Sequence, residues 1–181
     1  MVGAVKFEAR IRELVEGLPD LAVLVEPLLV VRRVLREHLL AVVRDDEVCR
    51  RLMTAPGVGP VVALTYRATV DVPARFRKSK SVGAVFGLTC SRDQSGERDR
   101  AGAISRCGDK MMRAMLYEAA QSMMVRSTRW SWLKAWAMQV ARRRGKKKAI
   151  VALARRLAVI LHRIWVDGTE FRWTREAVPA A

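Results

Sequence analysis

The sequence is poor in cysteine, in histidine and, over most of its length, in acid. Its three cysteines, Cys49, Cys90 and Cys107, are odd in number, widely spaced and without a CxxC pair, and the two histidines, His38 and His162, lie far from them. Neither a disulfide framework nor a zinc site is indicated. Long apolar runs are missing as well. The N-terminal MVGAVKFEARIREL interleaves charged and apolar residues, and the most apolar later stretch, 149–161, is interrupted by Arg155 and Arg156. A signal peptide and a membrane span are therefore not expected, and a soluble protein of a reducing compartment is. Acids are the third scarcity: 18 Asp and Glu against 34 Lys and Arg, a formal net charge of +16. The imbalance is local. Residues 1–50 hold 8 basic and 9 acidic side chains, leaving 26 basic and 9 acidic in residues 51–181. The second segment is thus the surface for a phosphate-rich partner. Its nine acids are scattered, mostly beside arginines, so a Mg²⁺ site of converging carboxylates is not expected, and no cofactor is expected on this chain.

What is present is enough for a core. A chain of 181 residues, 51% of them hydrophobic, predicts one compact domain with an appendage. The periodicities predict an all-α fold divided into an amphipathic or coiled-coil segment at 1–50, a compact helical domain at 51–173 and a tail at 174–181. Leu21, Leu24, Leu28, Val31, Leu35 and Val42 follow a three-four alternation with His38 at the remaining heptad position, which predicts a helix at about 27–43, Pro27 lying in its first turn. That seam either packs within its own domain or pairs with a second copy. Asp45 and Asp46 predict a cap for a short helix, EVCRRLMTA, which runs through Pro56-Gly57-Val58-Gly59-Pro60 into the apolar helix VVALTYRATV. Residues 73–80 read as a turn feeding a helix at 79–86, and 87–100 as a loop or a short hairpin. Ser105, with Asp109 behind it, predicts the cap of a helix on which Met112, Met115, Leu116, Ala119 and Met123 share a face; further helices follow at about 130–143 and 147–166, parted by Gly145 and closed by Asp167-Gly168.

Four features have a functional reading beside a structural one. Gly57, Val58 and Gly59 make a helix-hairpin-helix turn that offers free amide groups to a DNA phosphate, or an ordinary helix-helix turn. Ser95 and Gly96, set among Arg92, Arg98 and Arg100, and with Arg106 beyond, suit a hydroxyl nucleophile held against a phosphodiester, although a serine before glycine is more often a turn residue. Trp130, Trp132 and Trp136 stack on bases or, the more common case, fill core. Arg142, Arg143, Arg144, Lys146, Lys147 and Lys148 form a turn whose six charges span several phosphates, and the pair Arg155 and Arg156 extends that patch.

In order along the chain stand LMTAPGVGPVVALTYRA, PARFRKSKSVGAVFGLT, QSGERDRAGAISRCGDKMMRAMLYEAA and WSWLKAWAMQVARRRGKKKAIVALARRLAVILHRIWVDGTEF. This set resembles the C-terminal domain of the bridge-RNA-guided insertion-sequence transposases, the "one-ten" family, over residues 21–173. The resemblance implies a helical domain, joined through a coiled coil to an N-terminal RuvC-like domain whose four acids bind Mg²⁺, that cuts and rejoins DNA under the guidance of a structured RNA. It assigns Ser95 of QSG as the nucleophile of a covalent phosphoserine link and Gly96 as the point of close backbone approach. Members often read GLTP where this chain has GLTC, and Ser91 and Asp93 follow here. The RuvC-like acids find no match in these residues, so the expectation is a truncated gene product or half of a split frame, inactive in recombination without a partner chain. DNA, a guide RNA and a second copy are the expected partners, and the prokaryotic cytoplasm around the nucleoid the expected setting. The alternative is a non-catalytic, helix-hairpin-helix architectural protein that binds DNA or RNA.

Overall fold

The computed structural model describes residues 4–95 and 98–174, with backbone placement only at 4, 5, 93 and 98–101. The chain divides into two compact units, Met1–Asp45 and Asp46–Ala181.

The first unit is a pair of helices, α1 (Ala4–Val15) and α2 (Pro19–Asp45), joined by a turn in which Gly17 takes a positive φ of 83°. Arg12 meets Glu26 at 2.6 Å and Glu8 meets Arg32 at 3.5 Å, an inverse order that makes the two helices antiparallel. Arg32 also lies over the Phe7 ring, and Leu29 is buried. Helix α2 starts eight residues earlier than its heptads predict, because Pro19 takes the first-turn position and Pro27 falls inside the helix. An internal proline costs about 3 kcal/mol. The cost is offset where α1 packs against this stretch. The packed side of α2 is not the predicted seam: Leu21, Leu24, Leu28, Val31, Leu35 and Val42 are all exposed.

The second unit is built on α8 (Lys146–Asp167), whose Leu153, Leu157 and Leu161 are fully buried and whose Ala149, Ala154 and Ala158 let neighbouring helices approach closely. Helices α6 (Lys110–Val125) and α7 (Trp132–Arg144) pack on it; α4 (Pro60–Val70) packs on α6, and α3 (Glu47–Leu52) on both α4 and α8. Met112, Leu116, Ala119 and Met123 of the predicted α6 face are buried. Tyr66 of α4 is buried edge-on to Phe86 and donates its hydroxyl to Ala158 O at 2.7 Å. Burial pushes that phenol well above its ordinary pKa.

Capping residues set the helix starts. Asp46 accepts from Cys49 N at 2.9 Å, and Ser131 from Lys134 N at 3.2 Å. For α6 the cap is Asp109, which accepts from Met112 N at 2.5 Å, rather than Ser105. Ser105 N is already bonded to Thr89 O, and Arg106 and Gly108 are left-handed, so no helix can begin there. Gly168, at φ 62°, closes α8 as its sequence predicts. Among the described residues the fold is otherwise helical apart from one two-stranded hairpin, and no helix is long and apolar enough to cross a membrane.

Candidate nucleic-acid interface

The open choice between loop and hairpin at 87–100 resolves as a hairpin. Strand β1 (Cys90–Ser95) runs antiparallel to β2 (Arg98–Ile104), with a bulge between Cys90 and Arg92. Ser95 ends β1, is exposed, and pairs in register with Arg98; Asp93 pairs with Arg100. Gly96 lies outside the described residues. Arg92 is exposed three residues before Ser95. Arg106 is not gathered with them. Its N–H bonds to Gly87 O at the hairpin's foot, and five residues of strand at ~3.3 Å each put that foot roughly 17 Å from Ser95.

The foot is clamped. Gly87 and Gly108 have positive φ, and a Cβ on either would fall 2.1 Å from Cys107 O or 1.9 Å from Val85 O. Arg113 of α6 then donates from one guanidinium nitrogen to Phe86 O and to Cys107 O, both at 3.1 Å, tying the two ends of the hairpin to each other and to the helix. Nothing local in the sequence singles out Arg113: its partners lie up to 27 residues away, beyond any local pattern.

At the α3–α4 turn the two glycines differ. Gly57 has φ 84°, and a Cβ there would fall 2.2 Å from Ala119 O and 3.0 Å from Met123 N, so this glycine exists to let the turn touch the α6 backbone. Gly59 caps α4 with open space around its Cβ position and no side-chain cap. The first-turn amides after it have no partner within the helix. Val58 is buried, which fixes the turn between them. Arg67 of α4 is taken by Asp46 at 2.8 Å.

Arg142, Arg143, Arg144, Lys146, Lys147 and Lys148 are all exposed around Gly145. Arg155 and Arg156 do not act as a pair. Arg156 lies over Trp136 and Trp132, 4.4 and 5.0 Å from the ring centres, whereas Arg155 is exposed on another side of α8. Trp132 and Trp136 are thus half-buried partners of a cation rather than central core, and Trp132 Nε1 donates to Arg172 O. Trp130 is 61% exposed.

Three acidic side chains of this unit serve the fold: Asp46 and Asp109 cap helices, and Asp46 and Glu47 pair with Arg67 and Arg51. Among the described residues no three His, Cys, Asp or Glu come together. All three cysteines are free. Burial, with Asp46 nearby, pushes the Cys49 thiol up to about 11.

Comparison with known proteins agrees with the segment that holds this geometry. Residues 49–137 match the family described as Transposase IS116/IS110/IS902 family. A Sinorhizobium fredii protein named as transposase y4pF/y4sB is 34% identical over 142 residues, 77% of this chain and 37% of its own length. The transposase for insertion sequence element IS1111A of Coxiella burnetii is 32% identical over 69% of this chain and 35% of its own length. The transposase for insertion sequence element IS1328 of Yersinia enterocolitica is 30% identical over 78% of this chain and 41% of its own length. The chain therefore spans well under half the length of the relatives it matches. Residues 49–137, from Cys49 at the start of the second unit to Ala137 in α7, thus carry the likeness to the Transposase IS116/IS110/IS902 family.

Proposed function

We propose that this chain is the serine-bearing, DNA-binding part of a transposase that acts in DNA transposition and recombination. The observation that carries the reading is Ser95: exposed, at the end of a strand, in register with Arg98, on a hairpin clamped at its foot by Arg113. In the proposed step the Ser95 hydroxyl oxygen attacks a DNA phosphorus. A serine-phosphate ester forms, one P–O bond to deoxyribose breaks, and the hydroxyl proton passes to the departing oxygen. The phosphodiester count is conserved, so rejoining is the reverse attack by a deoxyribose hydroxyl. Arg92, Arg98 and Arg100 are the cations nearest in sequence for the charge on the phosphoryl oxygens, and Gly96 leaves room for the backbone to approach. The Gly59 amide and those of the first turn of α4, with the 142–148 turn, hold DNA backbone without reading sequence.

Strand cleavage further requires Mg²⁺-binding carboxylates from a RuvC-like domain, and a guide RNA selects the site. The exposed α2 seam pairs with a second copy of the chain, as a coiled coil does. The test combines the chain with a RuvC-like domain, guide RNA and insertion-sequence-end DNA, then looks for a denaturation-resistant protein–DNA adduct. An adduct mapping to Ser95 and lost in Ser95→Ala is expected. An adduct that persists in Ser95→Ala overturns the nucleophile assignment, and DNA binding without any adduct supports the non-catalytic architectural protein instead.

A further inference from the structure

The segment between α4 and the hairpin, residues 73–81, is a basic stretch that the proposed function leaves unused. It carries Arg75, Arg77, Lys78 and Lys80, all exposed, and no acid occurs between Asp71 and Asp93. It is not a free loop. Two 3-10 turns, Pro73–Arg75 and Ser79–Ser81, pack on α8. His162 of α8, buried, closes the segment between them: one ring nitrogen lies 3.0 Å from Ser79 Oγ and the other 3.1 Å from Pro73 O, with Phe76 edge-on to the ring at 5.4 Å. The residues between 73 and 79 are thereby presented as a fixed bulge. The short helix α5 (Val82–Val85) follows, and a Cβ on its buried Gly83 would lie 3.0 Å from Arg155 Cγ, so the segment leads directly onto Arg155.

On α8 the residues Lys148, Arg155 and His162 are spaced by seven, which keeps them on one face and about 10.5 Å apart at each step. The 142–148 turn, Arg155 and the clipped segment therefore lie along a single line roughly 21 Å long, comparable to six base pairs of duplex at ~3.4 Å each. Carboxylates are missing from the protein segments that form this line, since residues 119–166 contain no Asp or Glu at all. None of Arg77, Lys78, Lys80 and Arg155 joins an ion pair among the described residues.

We infer that these residues form one continuous strip along α8 that binds the phosphate backbone of duplex DNA, with the 73–81 segment as its far end. Duplex rather than single-stranded DNA fits the strip. The cations are held on a rigid, straight scaffold, and the segment's aromatic ring, Phe76, is packed on His162 instead of being offered to an unstacked base. The strip rests on the reading of the chain as a DNA-binding protein and adds a second, sequence-independent contact to it.

The test uses the full chain with a labelled ~30-base-pair DNA duplex of arbitrary sequence and the matching RNA duplex, titrated between about 50 and 200 mM salt. Variant R77Q/K78Q/K80Q is compared with Arg155→Gln and with R142Q/R143Q/R144Q. All three change exposed side chains and are expected to melt with the parent protein. The strip predicts that R77Q/K78Q/K80Q weakens DNA binding on the order of tenfold, with a salt slope shallower by about 2–3. Arg155→Gln is expected to act in the same direction with about one unit of slope. Should the triple variant fold poorly, Arg155→Gln decides alone. Loss with R142Q/R143Q/R144Q only overturns the strip while leaving the DNA-binding reading intact. A loss confined to the RNA duplex overturns DNA as the ligand; binding unchanged in all three variants overturns the strip, and a parent chain that shows no salt-sensitive binding to the DNA duplex overturns the DNA-binding reading itself.

Discussion

Replacing Gly57 with alanine separates the two roles that its turn combines. At φ 84° any residue with a Cβ sits in the left-handed region, a penalty of about 1–2 kcal/mol. The new Cβ would also stand 2.2 Å from Ala119 O, a backbone atom in the middle of α6 that no rotamer change can move. Forcing that helix outward is overpacking, worth about 1–3 kcal/mol. Together these give roughly 2–5 kcal/mol, which in a unit of this size lowers the melting temperature by ~6–20 °C. Gly59→Ala is the control. Its φ of −102° suits any residue and its Cβ would meet nothing within 4 Å, so only the modest loss from a weaker cap, at most about 1 kcal/mol, is expected. Thermal melts of both variants by circular dichroism provide the assay. A Gly57→Ala protein that melts within a degree of the parent, or a Gly59→Ala protein that is equally damaged, would refute the packing argument. The pair also prevents a misreading: weaker DNA binding in a Gly57 variant reports a displaced α6, so the phosphate role of the turn is tested by a bulky residue at Gly59.

Two other predictions rest on single contacts. Arg113→Met removes both bonds that clamp the hairpin's foot, a loss of about 1.5–3 kcal/mol per charge-assisted bond if neither carbonyl finds another donor; faster hydrogen exchange at Ser105 N, with α8 unchanged, is the expected result, and equal protection in parent and variant refutes the clamp. Cys49 is buried with its thiol pushed from about 9 up to about 11, so the unfolded chain deprotonates first as pH rises between those values and stability falls across that window. Cys49→Ala or Cys49→Ser flattens this slope, and exposed Cys90 and Cys107 react with an alkylating agent well before Cys49 does.

The helices of the second unit were legible because their signals are local. Asp46, Gly145 and Gly168 stand within a few residues of the ends they set, and of the predicted α6 row Met112, Leu116, Ala119 and Met123 are buried and Met115 half-buried, the helical period holding whatever surrounds it. Where periodicity misled, a contact distant in the chain had taken over. Asp109 replaces Ser105 as a cap because Thr89 claims the Ser105 amide. Helix α2 starts at Pro19 and runs through Pro27 with α1 packed beside it, so the heptads misplace its start. The site obeys the same division. Ser95 and its arginines are consecutive enough to be singled out from sequence, but Arg106 is carried to the other end of the hairpin by strand geometry that no residue count at the motif reveals.

The neighbouring residues Arg155 and Arg156 make the point most sharply. One step along α8 rotates a side chain by about 100°, which is enough to lay Arg156 against two tryptophans and leave Arg155 beside Gly83 at the end of the basic segment. Their sequence environment is identical, so charge alone assigns both to one patch. Only the packing of α7 on one side of α8 and of α5 on another distinguishes a cation committed to the fold from one available to a phosphate. Which cations of this domain stand open to a partner is therefore decided less by where its basic residues fall in the sequence than by which of them the aromatic side chains cover.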